Sequence, residues 1–498
     1  MRYAPHLDRR SLLGAAAAGL TGALTGALAN TPARAQAPVP VSSLPPIPPA
    51  LRKGRLSVRG RDVAYASEAA ERVMRNPAGA PRATIFSVSY VEEGADPRAR
   101  PVSFIWNGGP GGATWHLREH LSPRITRRAD TPRGYAFIGN PDSPIDVSDL
   151  VFIDAPGAGY SRFLAEDAKP EYWGVEADGR AFADFIAGWL ADNGRLESPV
   201  FLVGESYGGT RAGQVARRLA ARPRPVNLTG IVLISPTLGS GGPPDPPAPV
   251  LVLPSFAAVA HHHRRGAHTA KPLETVVREA EQFADGPYAA ALVRGAALAA
   301  AEREAIAAQV AGFIGLPRRF VLDAGLAPSV QQFRGQLLAD QGQRLGGGDA
   351  REARVPPPPG QDSVLSVADG YDLGESIVRL LTDELGYTPA GPYWRDPVEA
   401  NRRWNPTLTG PGYAPSIFKD LTASTGPAAP TPKIFLVAGW FDLVVPYRRP
   451  LEALTAAGFA PGQFEAKVYP AGHGVYEDLA TRARSTDDLR AFYRRALG

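Results

Sequence analysis

Apolar and polar positions along the chain follow two patterns. In the first, short continuous apolar runs stop at turn residues. Val102-Ser-Phe-Ile-Trp106, Leu150-Val-Phe-Ile-Asp154, Val200-Phe-Leu-Val203, Gly230-Ile-Val-Leu-Ile-Ser235 and Lys433-Ile-Phe-Leu-Val-Ala438 are of this kind. Runs apolar at nearly every position suit strands buried on both faces. Leu56–Val63 and Ala83–Val91 alternate instead, and predict further strands. The second pattern has a helical period. Ala181, Phe182, Phe185, Ile186 and Trp189 share one face of a helix predicted over Val175–Asp192. Ala212, Val215, Ala216 and Leu219 do the same over Thr210–Arg222. Apolar strands alternating with helices predict an α/β fold, with an open, mainly parallel sheet covered on both faces.

The pattern changes after Pro236. Gly241–Pro249 is a cluster of helix and strand breakers, and residues 250–342 read mostly helical, over Val276–Phe283, Ala289–Gly312 and Ala327–Asp340. Gly346–Gly360 reads as loop, and 370–385 as helix. The strands at 433 and 465 then resume the sheet, and a helix over Asp487–Leu497 closes the chain. This predicts a core of residues 56–240 and 396–498, with a helical cap inserted over 241–395.

Composition narrows the class. Hydrophobic residues make up 44% of the chain and charged residues 21%, ordinary for a globular protein. Net charge is +5, but Arg2, Arg9, Arg10 and Arg34 against Asp8 place +3 of it in the first 35 residues. The remainder carries no nucleic-acid or anionic-membrane signal. With no cysteine, disulfides, thiolate metal sites and cysteine nucleophiles are excluded. Residues 1–35 read as an export signal: Arg9-Arg10, a weakly apolar Ala/Gly/Leu run over Leu12–Ala29, and Ala33-Arg34-Ala35 as a cleavage site. Paired arginines before so mild an apolar stretch look like a twin-arginine signal. The expected location is therefore periplasmic or secreted, with no stable membrane span in the mature chain. Residues 36–55, rich in proline, read as a flexible or polyproline lead-in.

The chemistry centres on Gly204-Glu205-Ser206-Tyr207-Gly208, set between an apolar strand and a helix. That context is the nucleophile elbow, where glycines let a serine sit on a sharp turn above a sheet. A serine hydroxyl needs a base within hydrogen-bond reach. Of eight histidines, His473 follows the last predicted strand, in Tyr469-Pro-Ala-Gly-His473-Gly. Asp442 follows the strand before it and is the candidate acid; Asp154 is its rival, but precedes the serine. The order Ser206, Asp442, His473 is that of the α/β-hydrolase fold. Two oxyanion donors are also required. The Tyr207 N–H is one candidate, and the loop Asn107-Gly-Gly-Pro-Gly111 offers the other. His261-His262-His263 makes a poor metal site, because consecutive helical residues point in different directions. No metal or other cofactor is expected.

Asn107-Gly-Gly-Pro-Gly-Gly112, Asp154-Ala-Pro-Gly-Ala-Gly-Tyr-Ser161, Gly204-Glu-Ser-Tyr-Gly-Gly209, Asp442–Pro446 and Gly472-His473 together resemble the serine carboxypeptidase family, in that family's order. The resemblance implies a peptide substrate cut at its C-terminus, a triad of Ser206, Asp442 and His473, and oxyanion donors on Gly109 and Tyr207. It also implies that Asn107 and Glu205, with Gly108 beside them, grip the free carboxylate of the substrate. Two carboxylates share a hydrogen bond only if one is protonated, so Glu205 should be neutral in that complex. The chain departs from the family in having Gly112-Ala113-Thr114 where many relatives have Cys-Ser-Ser, in lacking disulfides, and in carrying Gly474 after the base, which should open leaving-group space. The alternatives are an esterase or acyltransferase on the same triad, with an ester as substrate, and a catalytically silent binding protein of the same fold.

Overall fold

The computed structural model describes residues 39, 41–129, 134–240, 242, 247–356, 376, 378–423 and 431–498. The expected export signal lies outside them, as do most of the breaker cluster at 241–249 and residues 370–375 and 377 of the helix expected over 370–385.

The strands in chain order are β1 (Ala50–Val58), β2 (Arg61–Arg75), β3 (Pro81–Glu92), β4 (Val102–Trp106), β5 (Arg124–Arg128), β6 (Tyr135–Gly139), β7 (Asp149–Ile153), β8 (Arg162–Phe163), β9 (Val200–Glu205), β10 (Leu228–Ile234), β11 (Arg344–Leu345), β12 (Ala353–Arg354), β13 (Lys433–Gly439) and β14 (Phe464–Tyr469). Ten of them form one sheet, in the spatial order β1-β2-β3-β7-β4-β9-β10-β13-β14, with β8 paired to β3. From β7 to β14 every neighbouring pair is parallel, whereas β1, β2 and β3 extend the sheet antiparallel.

Helices α1 (Trp115–Leu121), α2 (Val175–Asp192) and α3 (Gly208–Ala220) fall between these strands. After β10 come α4 (Ala248–His262), α5 (Leu273–Phe283), α6 (Ala289–Arg294), α7 (Ala300–Ile314), α8 (Arg318–Asp323) and α9 (Val330–Gln336). The chain closes with α10 (Val398–Arg403), α11 (Ala414–Ala423), α12 (Arg448–Ala456) and α13 (Leu479–Leu497).

The continuous apolar runs are explained by two cores, one on each face of the sheet. Phe104, Leu202, Leu233 and Leu436 pack in one core with Phe182, Phe185 and Trp189 of α2 and Val215 and Leu219 of α3. Their neighbours Ile105, Val203, Val232 and Val437 pack in the other with Leu489 and Phe492 of α13. A third core joins α4, α5, α7 and α9 to Phe441, Leu443 and Tyr447, which surround the candidate acid. The structure is thus an α/β sheet flanked by helices, as the pattern predicts. Among the described residues no helix is long and apolar enough to cross a membrane.

Three local expectations differ. Leu56–Val63 is not one strand: the chain reverses at Arg59 (φ 49°) and Gly60 (φ 79°), the left-handed pair that a two-residue hairpin needs. Ala289–Gly312 is broken at Gly295 (φ 52°), between α6 and α7. The proline-rich stretch is docked rather than free: the Val39 N–H donates to Glu399 Oε2 at 2.7 Å and the Ser42 N–H to the Phe163 carbonyl at 2.9 Å.

Candidate active site

Ser206 follows β9 with φ 57°, a left-handed conformation uncommon for a non-glycine residue. Its N–H donates to the Ile234 carbonyl at 2.9 Å, and its carbonyl accepts from Gly209 and Thr237. The neighbouring glycines are demanded by space. A Cβ on Gly204 would stand 2.3 Å from the Gly208 carbonyl oxygen, and one on Gly208 would stand 2.8 Å from Trp106 Cδ1. Trp106 Nε1 also donates to the Gly208 carbonyl at 3.0 Å, which pins the first turn of α3 to the end of β4. The result is a strand–turn–helix elbow.

Asp442 and His473 come together as expected. His473 Nδ1 donates to Asp442 Oδ2 at 2.7 Å, and Asp442 Oδ1 accepts the Val444 and Val445 N–H groups at 2.8 and 2.9 Å. Both residues are buried. Burial alone would lower the His473 pKa, but the Asp442 carboxylate, with Glu205 behind it, more than offsets this and raises it to about 9. The base loop is tied to the elbow through Ser235: its Oγ donates to the His473 carbonyl at 2.8 Å, and Ile234 beside it accepts the Ser206 N–H. A glycine strap from the expected loop region holds the other side. The His473 N–H donates to the Gly348 carbonyl at 2.7 Å, the Leu443 N–H to Gly347 at 3.1 Å, and the Ala350 N–H to Phe441 at 3.0 Å.

The Asn107–Gly112 loop lies directly on the elbow. A Cβ on Gly108 would stand 2.6 Å from the Tyr207 nitrogen and 2.8 Å from Ser206 Cβ. Gly109 has φ 117°, and a Cβ there would meet the Gly112 nitrogen at 2.6 Å, so glycine is required twice over. The Tyr207 N–H opens α3, where the helix dipole favours negative charge. Asn107 is fixed by its own contacts: its N–H donates to Thr114 Oγ1 at 3.2 Å and its Oδ1 accepts the Leu117 N–H at 3.1 Å. That leaves Nδ2 as donor, and it reaches Glu205 Oε1 at 2.7 Å. Asp154, the rival acid, instead accepts the Thr114 N–H at 2.7 Å and so supports this loop from below. Arg211 adds a further tie, donating to the Asn107 carbonyl at 2.7 Å and to both oxygens of the buried Asp178.

Two residues not anticipated as part of the site complete it. His116, in the first turn of α1, places Nδ1 3.4 Å from Glu205 Oε1, and its Nε2 pairs with Glu477. Glu477 fills the space that Gly474 was expected to open: a Cβ on Gly474 would stand 2.2 Å from Glu477 Oε1. Burial pushes the Glu205 pKa up, but His116, His473 and the Asn107 amide together hold it below its ordinary value, so Glu205 is ionised in the free site. His116 is raised to about 9: burial lowers it, and Glu477 and Glu205 outweigh burial. The α1 helix is short and sits between loops, so its sequence gave little periodicity by which to place His116.

His116, His120 and Glu477 bring one possible ligand atom each within 4.8 Å of one another. Their chemistry suits an ion-pair cluster better than a metal. The Arg482 guanidinium lies 3.0 Å from His120 Nδ1 and uses its lone pair, while both His116 nitrogens face carboxylates. The histidine run at the end of α4 is divided: His261 Nε2 lies 2.7 Å from the Lys271 carbonyl, His263 Nε2, just past the helix, lies 2.8 Å from the Ala350 carbonyl, and the His262 ring packs on Phe441.

The sheet order, the elbow after β9 and the hydrogen-bonded Asp442 and His473 after β13 and β14 are those of an α/β-hydrolase fold. The sequence profile of the serine carboxypeptidase family matches residues 86–240, which shows over that span the resemblance carried by the Asn107 and Ser206 motifs. Asp442 and His473 lie beyond it. A search of curated proteins finds no match. Among solved structures, a prohormone-processing carboxypeptidase from Saccharomyces cerevisiae is similar at a TM-score of 0.53, with 14% identity over 86% of this chain and 91% of that one; this likeness is one of fold. A putative aryl esterase from Burkholderia cenocepacia (15% identity) and a proline iminopeptidase from Mycobacterium smegmatis (16%) each align at a TM-score of 0.37, over 86% of this chain and 99% of theirs. Fold and family match together support a serine hydrolase.

Proposed function

We propose that this protein is an exported serine-type carboxypeptidase that removes C-terminal residues from peptides through an acyl-enzyme on Ser206. The observation that favours an exopeptidase over other uses of a serine triad is the Asn107–Glu205 hydrogen bond on the rim of the elbow, a polar grip one residue from the nucleophile. In this reading His473 Nε2 takes the Ser206 Oγ proton as the oxygen attacks the scissile carbonyl. Asp442 holds Nδ1–H and stabilises the imidazolium. The Gly109 and Tyr207 N–H groups receive the developing oxyanion. His473 then gives its proton to the leaving amine nitrogen, the C–N bond breaks, and a water deprotonated by the same nitrogen releases the acyl group. Export rests on the paired arginines and the Ala-x-Ala of residues 1–35.

Mass spectrometry of a peptide library after incubation tests the reading. Trimming from the C-terminus of free-carboxylate peptides, absent for C-terminal amides and absent in Ser206→Ala, is the expected result. Equal cleavage of amidated peptides would count against the carboxypeptidase reading. Failure of a fluorophosphonate to label Ser206 would point to a silent binding protein.

A further inference from the structure

Glu477 is the fourth residue after the base, on the short turn Val475–Glu477. Its carboxylate pairs with His116 Nε2, and the same imidazole faces Glu205, which Asn107 holds. The Glu477 side chain reaches this place by folding back over Gly474, and it is 42% exposed while His116 is 21% exposed. A protein carboxylate therefore lies on the His116 imidazole, which in turn faces the asparagine–glutamate pair. Chemically it is a copy of the C-terminus of a peptide, carried on a turn rather than fixed in a core.

We propose that His116 is a specificity-determining residue that binds the free C-terminal carboxylate of the substrate, and that Glu477 is the resident carboxylate which the substrate displaces from it. The proposal rests on the carboxypeptidase reading of the site. It removes a difficulty in that reading: an ionised Glu205 alone would repel a second carboxylate, whereas the imidazolium of His116 attracts one. Exchange of one carboxylate for another on His116 leaves the local charge unchanged once the departing Glu477 takes up a proton.

The groups facing His116 set the pH dependence. They are Glu477 from the turn after β14, Glu205 from the end of β9, Asp396 from the segment before α10, and His473 and His120 as like charges when protonated. Glu477 is pushed up to about 7 by burial of its carboxyl, with Glu205 and Asp349 adding to the rise and His116 and His473 opposing it. Below that value Glu477 is protonated and competes weakly for the imidazole. Affinity for a carboxylate then falls as pH rises through about 7, by close to tenfold per unit above it.

Competitive inhibition of neutral-ester hydrolysis by 3-phenylpropanoate and by 3-phenylpropanamide tests this in the full-length protein. The readout is the ratio of the two inhibition constants within each variant, in which changes in rate or stability cancel. In the parent the carboxylate should be preferred at about pH 6, and that preference should fall about tenfold by about pH 8. Glu477→Gln should hold the preference flat across that range, and His116→Gln should bring the ratio near one. Equal inhibition by acid and amide in the parent, a flat parent profile, or a preference unchanged in His116→Gln overturns the proposal. The underlying reading fails separately: a parent that prefers the carboxylate inhibitor yet cleaves amidated and free peptides alike keeps the subsite and loses the exopeptidase assignment.

Discussion

The Nδ1 atom of His473 donates to Oδ2 of Asp442 at 2.7 Å, while the second oxygen of the same carboxylate is held by two backbone N–H groups. The Asp442 carboxylate is thus held at both oxygens, and the imidazole tautomer is fixed with it. Asp442→Asn should keep the fold but favour the wrong tautomer. An ester kcat about 10³- to 10⁴-fold lower is expected, by analogy with triads in general. Steady-state turnover of a simple ester checks it.

In the proposed mechanism His473 works as a base only when neutral, and its pKa is raised to about 9 in this site, where the Asp442 carboxylate, with Glu205 behind it, outweighs the lowering effect of burial. Ester kcat/KM should therefore climb with pH towards about 9. Because the Glu205 charge favours the imidazolium, Glu205→Gln should move that ascending limb to lower pH. A limb that stays in place, or moves up, would mean that Glu205 does not act on His473.

Gly108 sits where a methyl group would press on the Tyr207 nitrogen and on Ser206 Cβ. Gly108→Ala should distort one oxyanion donor and the nucleophile together. The expected loss in kcat is about 10²- to 10³-fold, the range seen when one donor is removed. Burst kinetics with an activated ester would locate the loss in acylation.

Arg211 and Asp178 form a fully buried pair, and Arg211 also carries the Asn107 carbonyl. Removing one partner leaves an uncompensated charge in the core. Arg211→Met should cost about 3–5 kcal/mol of stability, read by denaturant unfolding, and should raise KM for peptides as the Asn107 loop loosens.

His116 and His473 both have folded-state pKa values raised to about 9, above the ordinary histidine value of about 6.5. The folded state therefore favours the imidazolium. The stability this contributes is fully present below about 6.5 and is lost as pH rises through about 9. Thermal melts of Ser206→Ala should show Tm falling between about pH 6.5 and 9.5, with a smaller fall when His116→Asn is added.

The parts legible from sequence are those where sterics or burial leave few choices. Val175–Asp192 and Val102–Trp106 match their predicted bounds because both faces of the sheet are covered and the apolar pattern has no reason to stray. The elbow and the Asn107 loop were legible because their glycines have no substitute. What escaped notice was set by contacts between distant residues. The strand β2 has the Ala/Glu content of a helix, and only its alternating burial against β1 and β3 makes it a strand. His116 and Glu477 are 361 positions apart, and neither belongs to a motif; only the fold brings them together.

The glycine strap at 347–350 has a consequence for the architecture. It belongs to the largely helical stretch between β10 and β13, yet its carbonyls hold the backbone of Leu443 and of His473 itself. The loops that carry Asp442 and His473 are therefore held partly by a stretch outside the sheet and its flanking helices. Trimming this chain down to its bare sheet and flanking helices would leave both loops on slack ends, so the ornament and the frame cannot be taken apart.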